Sequence, residues 1–132
     1  MKRREAHAVL NCIGMAKCYT PDDSSNLGFM CPVDLETGLV LDEVWEHWRK
    51  NDPIRFLPNR SKEMAKTRAV FLDVGVKDQY NLQYGTRQIR DVLKKMKVPV
   101  DYSEFSGSHF DIGERRPEVW KWLKKHWIAT CG

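Results

Sequence analysis

Arg68-Ala69-Val70-Phe71-Leu72-Asp73-Val74-Gly75 is a compact apolar run closed by glycine. It reads as a buried strand of a parallel sheet. Immediately downstream, 82–97 begins with Leu82 and sets Ile89, Val92, Leu93 and Met96 at steps of 3, 1 and 3, one face of a helix. Val98-Pro99 stops that helix, because proline cannot continue the hydrogen-bond ladder and restrains the residue before it. Val100-Asp101-Tyr102-Ser103-Glu104-Phe105 alternates with period two, a second strand in which Val100, Tyr102 and Phe105 are expected to pack. After a glycine-bearing turn, 116–127 places Val119, Trp120, Leu123 and Trp127 on one side of a last helix, with Pro117 suited to its first turn. Strand, helix, strand, helix implies an α/β class: parallel strands in a layered sheet, joined by right-handed crossovers.

The half of the chain before this pattern is less regular. Ala8-Val9-Leu10-Asn11-Cys12-Ile13 reads either as another buried strand or as a short helix. Tyr19-Thr20-Pro21-Asp22-Asp23-Ser24-Ser25-Asn26 is loop chemistry throughout. The segment 42–51 reads as a helix with Val44, Trp45 and Trp48 on one face, ended by Asp52-Pro53. Trp45, Trp48, Trp120 and Trp127 fall at helical spacing and are expected to cover the sheet. No repeat and no Gly/Ser linker divides the chain, so 1–132 is expected to be a single domain.

Composition narrows the function classes. With 42% hydrophobic and 30% charged residues, five Trp and five Phe, the chain is globular rather than disordered. No apolar run approaches the roughly 18 residues of a membrane span, and the basic opening lacks a long apolar segment and a cleavage site. The expected location is therefore cytoplasmic, with no membrane partner. The net charge of +4 is mild and its signs are interspersed. Of the clusters Lys2-Arg3-Arg4, Lys94-Lys95-Lys97 and Lys121-Lys124-Lys125, the last two read as solvated faces of helices, and no nucleic-acid partner is expected. Cys12, Cys18, Cys31 and Cys131 form no CxxC pair, which argues against a zinc site and for buried or free thiols in a reducing compartment.

Two residues in the α/β half suggest chemistry. Asp78, in Gly75-Val76-Lys77-Asp78, follows the first strand; His109, in Gly107-Ser108-His109-Phe110, follows the second. Ligands of open α/β sheets bind outside the carboxyl ends of the strands, where two such loops meet. A carboxylate bonded to one imidazole nitrogen fixes the tautomer and leaves the other nitrogen as a general base. The plainer alternatives are a helix-capping Asp and a structural His. Arg115-Arg116, near His109, suit either an anionic substrate group or solvation of a helix end.

Phe71-Leu72-Asp73-Val74-Gly75-Val76-Lys77-Asp78-Gln79-Tyr80-Asn81-Leu82-Gln83-Tyr84-Gly85, followed by Glu104-Phe105-Ser106-Gly107-Ser108-His109-Phe110, resembles the C-terminal portion of an esterase family of the α/β-hydrolase superfamily. That family includes feruloyl esterases, enterochelin esterases and S-formylglutathione hydrolases. Asp34-Leu35-Glu36-Thr37-Gly38, Val44-Trp45-Glu46-His47-Trp48 and Asn51-Asp52-Pro53 resemble the segment before the acid-bearing strand in some members, so the likeness runs from about residue 8 to 127. The resemblance implies that Asp78 is the triad acid and His109 the triad base, with Asp73 a competing acid inside the strand. It implies a small-molecule ester as substrate and no metal or organic cofactor.

The nucleophile departs from the family pattern. Superfamily triads run nucleophile, acid, His, with a Ser in a G-x-S-x-G elbow. No such elbow occurs, and Ser24, Ser25 and Ser61, the serines ahead of Asp78, lack flanking glycines. No oxyanion-hole loop is recognisable either. A complete domain of this type takes roughly 200–250 residues, so the resemblance implies that 1–132 is the C-terminal part of a longer serine esterase, inactive alone. Leu10-Asn11-Cys12-Ile13-Gly14 is the one internal substitute, a degenerate elbow with Cys12 as nucleophile; Leu10 in place of the first glycine and a buried Cys12 both argue against it. The rival expectation is a non-catalytic interaction module whose exposed strand edge pairs with another chain or a second copy.

Overall fold

The computed structural model of the protein describes residues 3–128. Lys2 and Cys131 lie outside the described residues, as do the side chains of Arg3 and Arg4. The backbone packs as two compact units, Met1–Arg55 and Phe56–Gly132.

The first unit holds α1 (Arg3–Tyr19), α2 (Asp42–Lys50) and the turns between them. The run 8–13 lies wholly inside α1, so it is helix and not strand. Glu5 and Ala6 before it and Met15, Ala16 and Lys17 after it favour helix, and a six-residue apolar run has no period of its own to resist them. Leu10 and Cys12 are exposed along it, and Ala16 is buried. Two isolated antiparallel bridges, Pro21↔Phe29 and Val33↔Val40, close the loops. Asp34 accepts from the Thr37 N–H and hydroxyl, each at 2.7 Å, which folds the turn ending at Gly38 with its φ of 74°. Val44 of α2 is buried, and Trp48 is engaged within the unit: its indole N–H donates to Thr20 Oγ1 at 3.2 Å and Tyr19 meets it edge-on. Trp45, at 42% exposure, is not the covered residue its spacing predicted.

A short helix, α3 (Pro53–Phe56), carries the boundary, and the second unit continues through a 3-10 turn (Leu57–Arg60) and α4 (Ser61–Met64). Its centre is β1 (Val70–Gly75), α5 (Leu82–Lys95) and β2 (Val100–Phe105), then a 3-10 segment (His109–Arg115) and α6 (Arg116–Ile128). β1 and β2 pair in parallel from Val70↔Val100 to Gly75↔Phe105, the arrangement read from the alternation of elements.

Side chains alternate across a strand, and the two faces of this pair have different covers. Tyr102 and Glu104 meet α5, where Arg87 forks onto the Glu104 carboxylate at 2.7 and 2.8 Å and the Arg90 guanidinium lies 4.7 Å over the Tyr102 ring. Leu93 of α5, Val74 and Val98 form the buried apolar core. On the other face Phe71 stacks on Trp122 of α6, whose indole N–H donates to Asp101 at 2.6 Å.

Trp122 therefore does what Trp120 and Trp127 were expected to do. Those two are 68% and 72% exposed and, with Leu123 and Lys124, line an open groove of about 340 Å³. The helix has apolar residues on two sides, so periodicity leaves its rotation open. The rotation seen gives Trp122 both a ring to stack on and an acceptor for its N–H, two things a half-buried indole needs together.

Candidate functional site

The carboxyl ends of β1 and β2 are held together by backbone. Val76 N–H donates to Phe105 O at 3.0 Å, and Lys77 N–H donates to Gly107 O at 2.9 Å. Gly75 makes this approach possible: a Cβ built there would sit 2.4 Å from Gly107 O. The loop after β1 then turns, with Asp78 N–H donating back to Gly75 O at 3.2 Å. Asp78 is buried at the turn, 6% exposed, and one carboxylate oxygen accepts Tyr80 N–H at 2.8 Å.

His109 opens the 3-10 segment after β2, and its Nδ1 lies 3.1 Å from the other oxygen of Asp78. An ionised carboxylate only accepts, so in the neutral imidazole this contact puts the proton on Nδ1 and the ring lone pair on Nε2. Further contacts hold the residue and its segment, and the Phe110 ring meets the imidazole edge-on at 5.5 Å. The His109 backbone N–H donates to Gln79 Oε1 at 3.2 Å, and the Tyr80 ring meets the imidazole edge-on at 4.8 Å. The Ser108 N–H and hydroxyl both donate to Asp111 at 2.7 Å, a capping-box arrangement that starts the helical turn beneath it. The Ser108 hydroxyl, and then its N–H, hold the Asp111 carboxyl below the usual carboxylate range. Asp78 and His109 share a cavity of about 140 Å³ with Asp73, Gly75, Leu82, Thr86, Ser108 and Ile112.

The structure thus brings together the two residues singled out in the sequence. Asp73 lines the same cavity, but its carboxylate accepts from Arg115 Nε at 2.8 Å and its side chain is 5% exposed. Arg115 is correspondingly occupied by Asp73 and by Ser103, at 3.3 Å, which corrects its reading as an anion-binding or solvated helix-end residue.

The expected burial of Cys12 is also corrected. The residue is exposed in the middle of α1, with neither a preceding strand nor a sharp turn, so no nucleophile elbow forms around it. The serines ahead of Asp78 serve local turns: Ser24 donates to Asp22, Ser25 to Phe29 O and Ser61 to Pro58 O. Among the described residues no group of three or more His, Cys, Asp or Glu is placed to hold a metal ion, and no helix is long and apolar enough to cross a membrane.

Gln79, Tyr80 and Asp111 are neighbours of the site to which the sequence assigned no role, and the pairing of Asp73 with Arg115 was not legible in it either. Ser108-His109-Phe110-Asp111 carries the S-x-x-D signature of a helix start, which would have found Asp111. The others touch His109 or its segment through tertiary contacts that leave no spacing signal.

No family model matches the chain. No curated protein matches it either. Chemically, an imidazole with Nδ1–H directed at a buried carboxylate is oriented as a general base through Nε2, and the imidazolium formed on protonation is stabilised by the same carboxylate.

Proposed function

We propose that the chain is part of a carboxylic-ester hydrolase of the α/β-hydrolase type and supplies the acid and base of a Ser-His-Asp triad. What carries this reading is the contact of Asp78 with His109 Nδ1 at 3.1 Å, at the carboxyl ends of two adjacent parallel strands. A serine from a segment outside 1–132 attacks the ester carbonyl. His109 takes its proton through Nε2 and returns it to the leaving alkoxide, while Asp78 holds the ring. An acyl-enzyme forms, and water, activated by the same His109, resolves it to carboxylic acid and free enzyme.

The experiment identifies, by intact mass, the polypeptide that carries this sequence in its source cells, and assays it with a p-nitrophenyl ester. His109→Ala lowers kcat by about 10⁶, and Asp78→Asn on the order of 10⁴. Near-normal turnover in His109→Ala overturns the assignment. Chain 1–132 alone is expected to show no turnover that depends on His109.

A second reading rests on a different observation. The sheet has only two strands among the described residues, so each keeps one unpaired edge, and α6 exposes Trp120 and Trp127. Edges and apolar stripes of this kind pair with other chains, which fits a non-catalytic module that associates with a second polypeptide.

A further inference from the structure

The 3-10 segment that carries His109 is hard to account for by burial. It runs for seven residues, whereas 3-10 helices beyond three or four are uncommon because their hydrogen bonds are poorly aligned. None of its residues is buried. Something other than the core must hold its geometry, and the structure places a tether at each end.

The first tether is the Ser108–Asp111 arrangement beside His109. The second is Arg115, the last residue of the segment. Asp73 of β1 and Ser103 of β2 are register partners, side by side on the face away from α5. Arg115 spans them, Nε to Asp73 Oδ2 at 2.8 Å and Nη2 to Ser103 Oγ at 3.3 Å, with its guanidinium carbon 5.2 Å over the Phe105 ring. The Asp73 side chain is 5% exposed and its second oxygen has no hydrogen-bond partner, so Arg115 is the side chain that satisfies this buried carboxylate.

We infer that Arg115, anchored across both strands by Asp73 and Ser103, is the positioning residue that sets His109 against Asp78. The inference deepens the triad reading and rests on it for its functional meaning. Its physical content is separate: loss of the clamp loosens the segment from its far end, and the His109 ring leaves its single tautomer. Arginine serves here better than lysine, because a planar fork can bond a carboxylate and a hydroxyl on adjacent strands at once and an ammonium is a point donor.

The test is made on chain 1–132 by long-range ¹H–¹⁵N correlation of the imidazoles. In the unaltered chain His109 gives one tautomer, protonated at Nδ1, with slow exchange of that proton. Arg115→Gln yields a mixture of tautomers and exchange faster by about tenfold or more, as expected for local opening. Ser103→Ala gives a smaller change in the same direction, and Arg115→Lys restores part of the signature. Arg87→Gln, which breaks the comparable ion pair on the opposite face, leaves His109 unchanged.

If Arg115→Gln does not fold, Ser103→Ala and Arg115→Lys make the same comparison. Folded variants with the wild-type tautomer and exchange overturn the inference. Asp78→Asn separates it from the triad reading. A changed signature there with none in the Arg115 and Ser103 variants sinks the clamp alone. No change in Asp78→Asn sinks the Asp78–His109 pair itself.

Discussion

Gly75 carries no side chain because none fits: the oxygen of Gly107 stands 2.4 Å from where a Cβ would be. The loops bearing Asp78 and His109 meet through that close approach, so a methyl group here acts on fold and site together. Gly75→Ala is expected to destabilise the chain by about 2 kcal/mol, the range for overpacking a tight site. Urea unfolding measures this, and the same sample should lose the Asp78–His109 signature by NMR. An unaltered midpoint would mean that the backbone yields without penalty. Glu104 offers a second residue-scale prediction. The Arg87 guanidinium, and after it the Tyr102 hydroxyl, hold its carboxyl at about 2 against an ordinary 4.5. A depressed carboxylate contributes stability that is full above its unfolded pKa and lost as pH falls through the folded one. The gap in urea midpoint between wild type and Glu104→Gln should thus be full at pH 6 and close between about pH 4.5 and about pH 2. A gap that stays constant to pH 2.5 would remove this pair from the acid response.

At the scale of elements, α5 and β2 were legible because each obeys one period, and β1 because its short apolar run is closed by glycine. Ile89, Val92, Leu93 and Met96 can share a face only in a helix, and α5 ends at Lys95, two residues before Lys97 where its pattern was drawn. The run 8–13 and the rotation of α6 were not legible. A six-residue apolar run satisfies strand and helix alike, and a helix with tryptophans on two sides has no unique buried face. The choice in α6 is decided by Phe71 and Asp101, which lie far from it in the chain and engage Trp122. Trp122→Ala should therefore destabilise the protein by about 2 kcal/mol, through lost stacking and burial. Trp120→Ala should stay within about 0.5 kcal/mol, as for a surface site. Thermal melts of the two variants side by side check both, and equal losses would contradict the rotation described.

The whole molecule carries more apolar surface than its own elements cover. Val9, Leu10, Leu35 and Leu39 are exposed in the first unit; Trp120 and Trp127 are exposed in the second. Surfaces of this kind on chains with open sheet edges promote association. Sedimentation velocity is expected to show a weight-average mass that rises with concentration, and Trp120→Glu with Trp127→Glu should suppress the rise. A monodisperse monomer at all concentrations would count against the pairing reading and leave the ester-hydrolase reading to its own test.

What the sequence determined alone is local. Period two and period 3.6, the glycine at the end of a strand and the proline after a helix place β1, α5, β2 and α6 within a few residues, because each signal is written in neighbours. The pairing of an acid after one strand with a histidine after the next was also readable, since parallel strands bring their carboxyl-end loops to one rim. The tertiary structure decided what depends on residues far apart in the chain. Asp73 has the composition of a competing acid, yet Arg115, 42 residues later, takes it up. Cys12 has the type of a nucleophile, yet the helix around it denies it an elbow. A side chain's chemistry is given by its own atoms, but its role is set by which partner reaches it, and that choice is made only when the chain closes on itself.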